Sequence, residues 1–557
     1  MQTTLTDTSP KTSVSGRPGN VDAVIVGAGF AGLYMLYRLR ALGLSVRVLE
    51  SGTGVGGTWF WNRYPGARCD VESMQYSFSF LNELQQEWQW SERFAAQPEI
   101  LRYANHVADR LDLRRHIEFE TRVSDAVFDE AAGHWQVRTE HGETVTSQFC
   151  IMATGCLSAA RTPDFKGLES FKGETYHTGE WPHGSVDFTG KRVGVVGTGS
   201  SAIQAIPVIA GQAVHVTVFQ RTPNFSIPSR NTAMPADYEQ SWKSEYPERR
   251  LTARMTRNGV INQLNDKGAI EVSDEERRAT YEDRWAKGGT AFMASFTDLV
   301  TNKASNDTAV AFVHDKIRTT VNDPAVAELL LPKNHPIGTK RICVDTNYYQ
   351  TYNRPNVKLV DIKDAPIEAI TPTGLRTGGK DYELDAIVFA TGFDAMTGAL
   401  LKMGIVGRGG RSLAAKWADG PRTYLGVMTA GFPNLFIVTG PGSPSVLSNM
   451  IVSIEQHVDW IANCVADLRA AGSEQIEATQ EAEDEWVGHV NEVADRTLYP
   501  TANSWYVGAN IPGKPRIFMP YIGGVGNYRQ KCSDIAANGY AGFRRSGERE
   551  IASAAAE

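Results

Sequence analysis

Residues 21–51 read VDAVIVGAGFAGLYMLYRLRALGLSVRVLES. An apolar run leads into Gly27-x-Gly29-x-x-Gly32, a helical pattern follows as far as Gly43, and a second apolar run ends at Glu50. A strand, a glycine-rich turn, a helix and a strand that ends in an acid are typical of a βαβ unit that binds a dinucleotide. The segment therefore predicts an α/β fold with a Rossmann-like domain.

The three glycines have separate roles in such a unit. The first permits a tight turn, the second lets a pyrophosphate approach the backbone, and the third lets the helix pack closely on the strand. The positive end of the helix faces the phosphates, and Glu50 is placed to accept a hydrogen bond from a ribose hydroxyl. A helix turn that merely uses glycine is the alternative, and the complete βαβ context argues against it.

A second unit follows in residues 191–224, KRVGVVGTGSSAIQAIPVIAGQAVHVTVFQRTPN, with the turn Gly197-x-Gly199-x-x-Ala202. Alanine is small enough for the third position of the turn. The second strand ends in Gln220-Arg221-Thr222 instead of an acid. Because an arginine can neutralise a 2′-phosphate, this strand end favours NADPH over NADH. A solvated arginine at a strand end is the alternative.

Length and composition limit the function classes. A chain of 557 residues is too long to fold around a single hydrophobic core, so its length predicts two or three domains. Hydrophobic content of 42%, charged content of 21% and a net charge of -7 are those of an ordinary globular protein, and they argue against a nucleic acid partner. The six cysteines are scattered without zinc-like spacing, which indicates a reducing cytoplasm and no metal site. We expect neither a signal peptide nor a membrane span, because no segment has the pattern of either.

Two dinucleotide units in one chain imply two nucleotides that react with each other. The usual pair is a tightly bound FAD and a pyridine nucleotide that donates hydride. A disulfide reductase would need two neighbouring cysteines near the flavin, and no local cysteine spacing fits that requirement. Molecular oxygen is therefore the expected electron acceptor.

Repeated strand ends indicate where the chain crosses between domains. Apolar runs end in Ala-Thr-Gly at residues 153–155 and again at 390–392. Residues 231–335 have charged helical patterns and no glycine turn, which predicts a mostly helical insertion. We expect a mobile tail over 1–20, an FAD-binding domain over 21–155 and 386–557, and an NADP-binding domain over 156–230 and 336–385.

The segment FKGETYHTGEWP, residues 171–182, lies just before the second glycine turn. Its pattern F-x-G-x-x-x-H-x-x-x-W-P resembles the fingerprint of type I Baeyer–Villiger monooxygenases, with Phe171, Gly173, His177 and Trp181 at the fingerprint positions. Between two nucleotide domains, His177 is expected to anchor a linker and not to act as an acid or base.

The resemblance extends over almost the whole chain. It includes residues 54–73 (GVGGTWFWNRYPGARCDVES), 197–204, 219–225, 390–394, 440–450 (GPGSPSVLSNM) and 504–515 (SWYVGANIPGKP). Within the family these segments are most similar to the phenylacetone and steroid monooxygenase group. The resemblance implies an enzyme that uses FAD, NADPH and O₂ to convert small-molecule ketones to esters or lactones through a C4a-peroxyflavin.

The family's active-site residues match particular positions of this chain. Arg341 corresponds to the arginine beside the flavin, Asp70 to the carboxylate that holds it, and Lys340 to a 2′-phosphate contact. Without the resemblance, Lys340 and Arg341 would be interpreted as a solvated pair and Asp70 as a turn or helix cap. Further expected cofactor contacts are Gly56, Gly57, Thr58, Trp59, Tyr76, Thr198, Ser200, Ser201, Gln204, Thr222 and Trp505, and the expected ketone pocket is Ser445, Val446, Leu447 and Met450.

Two other functions stay open at this stage. An N- or S-oxygenating flavin monooxygenase has a similar fingerprint that ends in Tyr or Phe, so Trp181 speaks against it. A flavoprotein that senses redox state without turnover is a hypothesis from another class. The sequence predicts a monomer or a small homo-oligomer and does not distinguish between them.

Overall fold

A computed structural model describes residues 19–161 and 163–546. Most of the predicted tail, residues 1–18, lies outside the described residues. In chain order the strands are β1 (Asn20–Val26), β2 (Val46–Leu49), β3 (Ile117–Glu118), β4 (Val123–Asp129), β5 (His134–Thr139), β6 (Thr144–Met152), β7 (Glu174–His177), β8 (Arg192–Val196), β9 (His215–Gln220), β10 (Ser226–Pro228), β11 (Cys343–Asp345), β12 (Val357–Asp361), β13 (Ile367–Thr371), β14 (Gly374–Thr377), β15 (Lys380–Glu383), β16 (Ala386–Phe389), β17 (Gly404–Val406), β18 (Leu435–Ile437), β19 (Ile476–Ala478) and β20 (Phe543–Arg545).

Helices alternate with these strands in the two glycine-turn units and dominate two other regions. They are α1 (Phe30–Ala41), α2 (Thr58–Trp61), α3 (Asn82–Glu87), α4 (Gln97–Arg110), α5 (Ser200–Gln212), α6 (Ala236–Ser244), α7 (Tyr246–Met255), α8 (Asp274–Lys287), α9 (Lys303–Thr320), α10 (Pro324–Leu330), α11 (Tyr348–Thr351), α12 (Gly398–Lys402), α13 (Leu413–Lys416), α14 (Met450–Ala470), α15 (Gln480–Asp495) and α16 (Val525–Ala537). Between β10 and β11 the chain consists of α6–α10 and short turns.

The first sheet has eight strands in the order β17-β4-β5-β6-β1-β2-β3, with β18 also paired to β6. Strand β6 pairs with β1 along one edge and with two strands along the other, because its first half pairs antiparallel with β5 and its last three residues pair parallel with β18. The central strand β1 pairs parallel with β2 on one side and with β6 on the other, and β2 is buried throughout. Burial of parallel strands on both faces explains the unbroken apolar runs of the sequence.

The second sheet has five parallel strands in the order β12-β9-β8-β16-β7. This topology corrects the boundary predicted at residue 386, which places β16 in the FAD-binding domain. Its residues Ala386–Phe389 instead pair with β8 and β7, and the chain rejoins the first sheet only at β17. An apolar strand has the same pattern in either sheet, so the sequence could not distinguish them.

A buried histidine links the C-terminal helices to the core of the first sheet. His457 on α14 has no exposed surface, its Nδ1 accepts from the Thr439 amide at 3.1 Å, and its Nε2 lies 2.8 Å from the Tyr528 hydroxyl. Burial lowers the pKa of His457 to about 3. The imidazole is therefore neutral in the folded protein at neutral pH.

This histidine predicts acid sensitivity. Below its ordinary pKa of about 6.5, His457 binds a proton in the unfolded chain, whereas in the folded protein it stays neutral until the pH approaches 3. The free energy of unfolding is therefore unaffected by this group above pH 6.5 and decreases as the pH falls below that value. We expect His457→Gln to make the decline in the free energy of unfolding shallower by about 1.4 kcal/mol per pH unit below pH 6. Denaturant titrations of both proteins at pH 7, 6 and 5 measure the two slopes, and equal slopes would contradict the assignment.

Candidate functional site

The first glycine turn lies against the end of β6. A Cβ atom on Gly27 would be 2.7 Å from the Ala153 carbonyl oxygen, and a Cβ atom on Gly32 would be 1.9 Å from the Gly27 carbonyl oxygen. Helix α1 then starts behind Gly29, with neither a side-chain cap nor an acidic residue in its first turn. Its amide groups are therefore available to bind an anion such as a pyrophosphate.

Glu50 stabilises this turn from the end of β2. The buried carboxylate accepts hydrogen bonds from the amides of Ala28 and Gly52, both at 2.7 Å. Each carboxylate oxygen has a further lone pair that can accept from a ribose hydroxyl, so the ribose contact stays a prediction. The clamp on the glycine turn itself was not visible in the sequence.

Residues 56–59 lie next to the first glycine turn. Gly57 has φ of +52°, and a Cβ atom there would lie 2.9 Å from Gly29 Cα. The two segments can therefore pack this closely only because both positions are glycine. Thr58 is exposed at the start of α2, whereas Trp59 is buried and donates from its indole nitrogen to the Tyr76 hydroxyl at 3.1 Å. The segment that is predicted to contact FAD therefore begins directly beside the first glycine turn.

The second glycine turn repeats the first in the other sheet. Helix α5 starts behind Gly199 without a side-chain cap or an acidic residue in its first turn, and a Cβ atom on Gly199 would meet no described atom within 4 Å. By contrast, Ser273 and Asn302 cap α8 and α9 through their side chains. The open space over uncapped amides fits a second dinucleotide.

Hydrogen bonds of short side chains hold the second turn in place. Thr198 donates to the Thr222 carbonyl at 2.8 Å, and the Ser200 hydroxyl lies 3.2 Å from the Cys343 thiol. The Ser201 hydroxyl lies 3.0 Å from that of Thr178. Ala202 has no exposed surface, which agrees with the requirement for a small residue in the third position.

Two cations lie next to the end of β9. Burial lowers the pKa of Lys340, and the nearby charge of Arg221 lowers it further. In the described part of the chain, neither side chain has a carboxylate within ion-pair distance. Two adjacent positive charges without an acidic partner are suited to bind a phosphate group.

Arg341 and Asp70 form the ion pair that the resemblance implies. The guanidinium donates to the carboxylate from Nε at 2.9 Å and from Nη2 at 2.7 and 2.6 Å, while its Nη1 donates to the Val446 carbonyl at 2.9 Å. The two side chains keep 30% and 23% of their surface exposed. Burial alone would lower the pKa of Arg341, but the Asp70 carboxylate more than offsets this and the net pKa is raised.

An apolar cluster adjoins this pair on the side of Val446. Its buried members include Cys156, Met396, Val446 and Tyr506, and Leu447, Met450 and Trp505 pack against them. Ser445 is buried with φ of +40°, and its hydroxyl lies 3.0 Å from the Cys156 thiol. The structure thus brings the four predicted pocket residues and Trp505 together, and it adds Cys156 and Tyr506, which the sequence does not predict as pocket residues.

The fingerprint histidine bonds to the segments around Thr391 and Arg161 and not to Arg341. His177 Nδ1 accepts from the Gly179 amide at 3.0 Å, and its Nε2 lies 3.1 Å from the Thr391 hydroxyl, which donates to the Arg161 carbonyl at 2.9 Å. Burial lowers the pKa of His177, so the ring is neutral and Nε2 is the donor. These contacts favour the anchoring role over acid or base chemistry.

The other fingerprint residues are packed around β7. Trp181 is buried and stacks on Tyr176 with ring centroids 5.1 Å apart. A Cβ atom on Gly173 would lie 2.4 Å from the Asp385 carbonyl oxygen, and Phe171 packs against the apolar cluster beneath β16. The fingerprint therefore stabilises the second sheet at its edge strand β7.

Gln204, a predicted cofactor contact, binds the loop that precedes Asp70. Its amide oxygen accepts from the Tyr64 hydroxyl at 2.8 Å, and its amide nitrogen donates to the Arg68 carbonyl at 3.0 Å. Both polar atoms of the amide are therefore engaged with the loop that precedes Asp70.

In the described part of the chain, no helix is long and apolar enough to cross a membrane. No group of three or more His, Cys, Asp or Glu side chains in residues 19–161 and 163–546 is arranged to hold a metal ion. All six cysteines lie in these residues and none forms a disulfide.

Comparison with known proteins identifies the family. A family model described as pyridine nucleotide-disulphide oxidoreductase matches residues 24–323. A Baeyer-Villiger monooxygenase of Pseudooceanicola batsensis is 44% identical over 94% of this chain and 96% of its own, and a phenazine N-monooxygenase of Lysobacter antibioticus is 41% identical over 94% and 96%.

Solved structures agree with these relatives. An oxidized steroid monooxygenase bound to NADP is 55% identical, with a TM-score of 0.91 over 94% of this chain and 99% of its own. An OTEMO complex with FAD and NADP is 42% identical, with a TM-score of 0.92 over the same shares. The chain belongs to the Baeyer–Villiger monooxygenase family of flavin-dependent oxidoreductases.

Proposed function

We propose that this protein binds FAD and NADPH and converts ketones to esters or lactones with O₂. The observation that carries the proposal is the Arg341–Asp70 pair, fixed by the Val446 carbonyl beside an apolar cluster. Family membership and the NADP- and FAD-bound structures of similar proteins support it.

The residues present fit both cofactors. Uncapped amides at the starts of α1 and α5 suit two pyrophosphates, and Arg221 with Lys340 suits a 2′-phosphate. Glu50, Trp59 and Tyr76 would hold FAD along the first cleft, while Thr198, Ser200, Ser201 and Thr222 would surround NADPH. When bound, FAD supplies the redox chemistry that passes one oxygen atom of O₂ to the ketone.

Arg341 provides a permanent positive charge at this site. Because a guanidinium keeps its proton at any working pH, it can stabilise negative charge that develops on oxygen without protonating it. Asp70 fixes the orientation of the guanidinium through two parallel hydrogen bonds. The neighbouring apolar side chains lower the water content around the reacting atoms, which strengthens this electrostatic effect.

Oxygenation of nitrogen or sulfur is the second candidate function. The N-oxygenating relative favours it, since its identity to this chain is only slightly below that of the Baeyer–Villiger relative. Trp181 at the end of the fingerprint favours the ketone reaction. We further propose a cytoplasmic monomer or small homo-oligomer that binds neither nucleic acid nor membranes, which fits the net charge of -7 and the unpaired cysteines.

The test is aerobic incubation of the purified protein with NADPH and separate linear, cyclic, aryl and steroid ketones, an amine and a sulfide. We expect mass spectrometry to detect an ester or lactone one oxygen atom heavier than at least one ketone, formed only when NADPH is present. Oxygenated amine or sulfide without any ester would favour the second candidate. NADPH consumption without product from any compound would contradict both, and no consumption at all would indicate a sensor.

A further inference from the structure

Asp70 lies at the end of a loop, residues 64–70, that the first domain holds by its backbone. The Cys69 amide donates to the Ala95 carbonyl at 3.1 Å, and the Gln97 amide donates to the Ala67 carbonyl at 2.9 Å. These bonds fix one side of the loop. They leave its other side, which carries Tyr64 and the Arg68 carbonyl, facing helix α5.

Gln204 of α5 binds this other side with its whole amide group. Its oxygen accepts from the Tyr64 hydroxyl at 2.8 Å and lies 3.4 Å from the Arg68 amide, and its nitrogen donates to the Arg68 carbonyl at 3.0 Å. Gly66 has φ of +82°, and a Cβ atom there would lie 2.3 Å from the Gln204 carbonyl oxygen. Loop and helix therefore meet at a distance that only glycine permits.

The contact is electrostatically close to Asp70. Burial raises the pKa of Tyr64, and the charge of Asp70 raises it further, so the Tyr64 hydroxyl keeps its proton and stays a donor to Gln204. Tyr64 also packs against the apolar core of the second domain. A shift of α5 relative to the first sheet would consequently move the loop, and with it the carboxylate that orients Arg341.

Helix α5 starts at Ser200, at the proposed pyrophosphate site, and Gln204 lies about one turn further along. The same helix thus presents amides to the cofactor at its first turn and an amide side chain to the Asp70 loop at its second. We propose that Gln204 is a positioning residue, which acts through residues 64–68 on the Asp70–Arg341 pair and is not a ligand of NADPH. This inference rests on the proposed function for its most direct readout.

The experiment is a double-mutant cycle on the full-length holoenzyme with Gln204→Met, Asp70→Asn and the double variant. Gln204→Met keeps the length of the side chain and removes its hydrogen bonds. We expect it to lower ester formed per NADPH consumed by about 3- to 10-fold when Asp70 is present, and by less than about 2-fold in the Asp70→Asn background. The dissociation constant of NADP⁺ is expected to change by less than about 2-fold.

Two outcomes would overturn the inference. Multiplicative effects in the double variant would mean that Gln204 acts independently of Asp70. A loss of NADP⁺ affinity of about tenfold or more would make Gln204 a direct ligand. Gln212→Met, an exposed position on the same helix, is the matched control and should behave as the wild type.

Two additions keep the result interpretable. Tyr64→Phe removes one of the hydrogen bonds, so it should repeat the defect more weakly and replaces Gln204→Met if that variant does not fold. The rate of flavin reduction by NADPH without O₂ is measured in all variants. If the wild type forms no ester from any ketone, the proposed function fails, while non-additive reduction rates still test the coupling of Gln204 to Asp70.

Discussion

Replacing Arg341 by alanine is expected to lower the rate of ester formation by roughly 100- to 1,000-fold, the usual cost of removing a fixed group that stabilises developing negative charge. The variant should still bind both cofactors, because both glycine turns remain intact. NADPH oxidation is therefore expected to continue at a reduced rate, with hydrogen peroxide replacing ester as the main product. Parallel assays of NADPH, peroxide and ester over the same interval measure this change.

The chain offers a matched control for this experiment. Arg376 and Asp381 form a bidentate pair of the same kind on the exposed β14–β15 hairpin, with both hydrogen bonds at 2.7 Å. Arg376→Ala should leave ester formation unchanged. Arg341→Lys keeps a charge but loses the two parallel bonds to Asp70, so its activity should lie between those of alanine and the wild type. An Arg341→Ala enzyme that forms ester at the wild-type rate would remove this residue from the mechanism.

The glycine turns were predictable from the sequence because their chemistry is local. Backbone at Gly27 and Gly32 passes so close to other backbone that no side chain fits, and the flanking apolar runs are buried on both faces. The sheet to which a strand belongs is set by distant partners instead. For that reason the sequence predicts the strand β16 but places it with the first sheet, whereas the structure pairs it with β8 in the second.

The pairing of the active-site side chains depends on contacts between distant parts of the chain, which no sequence spacing describes. Asp70 and Arg341 are 271 positions apart, and only the resemblance to a known family connected them before the structure did. Gln204 lies one turn beyond a phosphate-binding sequence, so the pattern suggested a cofactor contact. The structure turns its amide to Tyr64 and Arg68, because the approach of the other domain decides which partner an exposed amide finds.

We expect coenzyme choice to depend on the positive charges of Lys340 and Arg221. Lys340 and Arg221 lie close enough for the charge of Arg221 to lower the pKa of Lys340, beyond the effect of burial. Binding of a 2′-phosphate would reverse this effect, since an anion favours the protonated lysine. Because its pKa is lowered, Lys340 in the free enzyme loses its proton at a lower pH than an ordinary lysine does. A neutral lysine binds the 2′-phosphate less well, so the KM for NADPH is expected to rise with pH, whereas the KM for NADH should not show this dependence.

Substituting each of these cations by alanine is expected to lower kcat/KM for NADPH by about 10- to 100-fold, as the loss of one hydrogen bond to a charged group costs about 1.5–3 kcal/mol. NADH has a hydroxyl at the same place and is the internal control, so its kcat/KM should change by less than about 2-fold in either variant. The Arg221→Ala/Lys340→Ala enzyme should consequently lose most of its preference for NADPH. Steady-state assays with both coenzymes on one ketone give the ratio directly. A parallel loss with NADH would show that the two side chains support the fold of the second domain and do not recognise the phosphate.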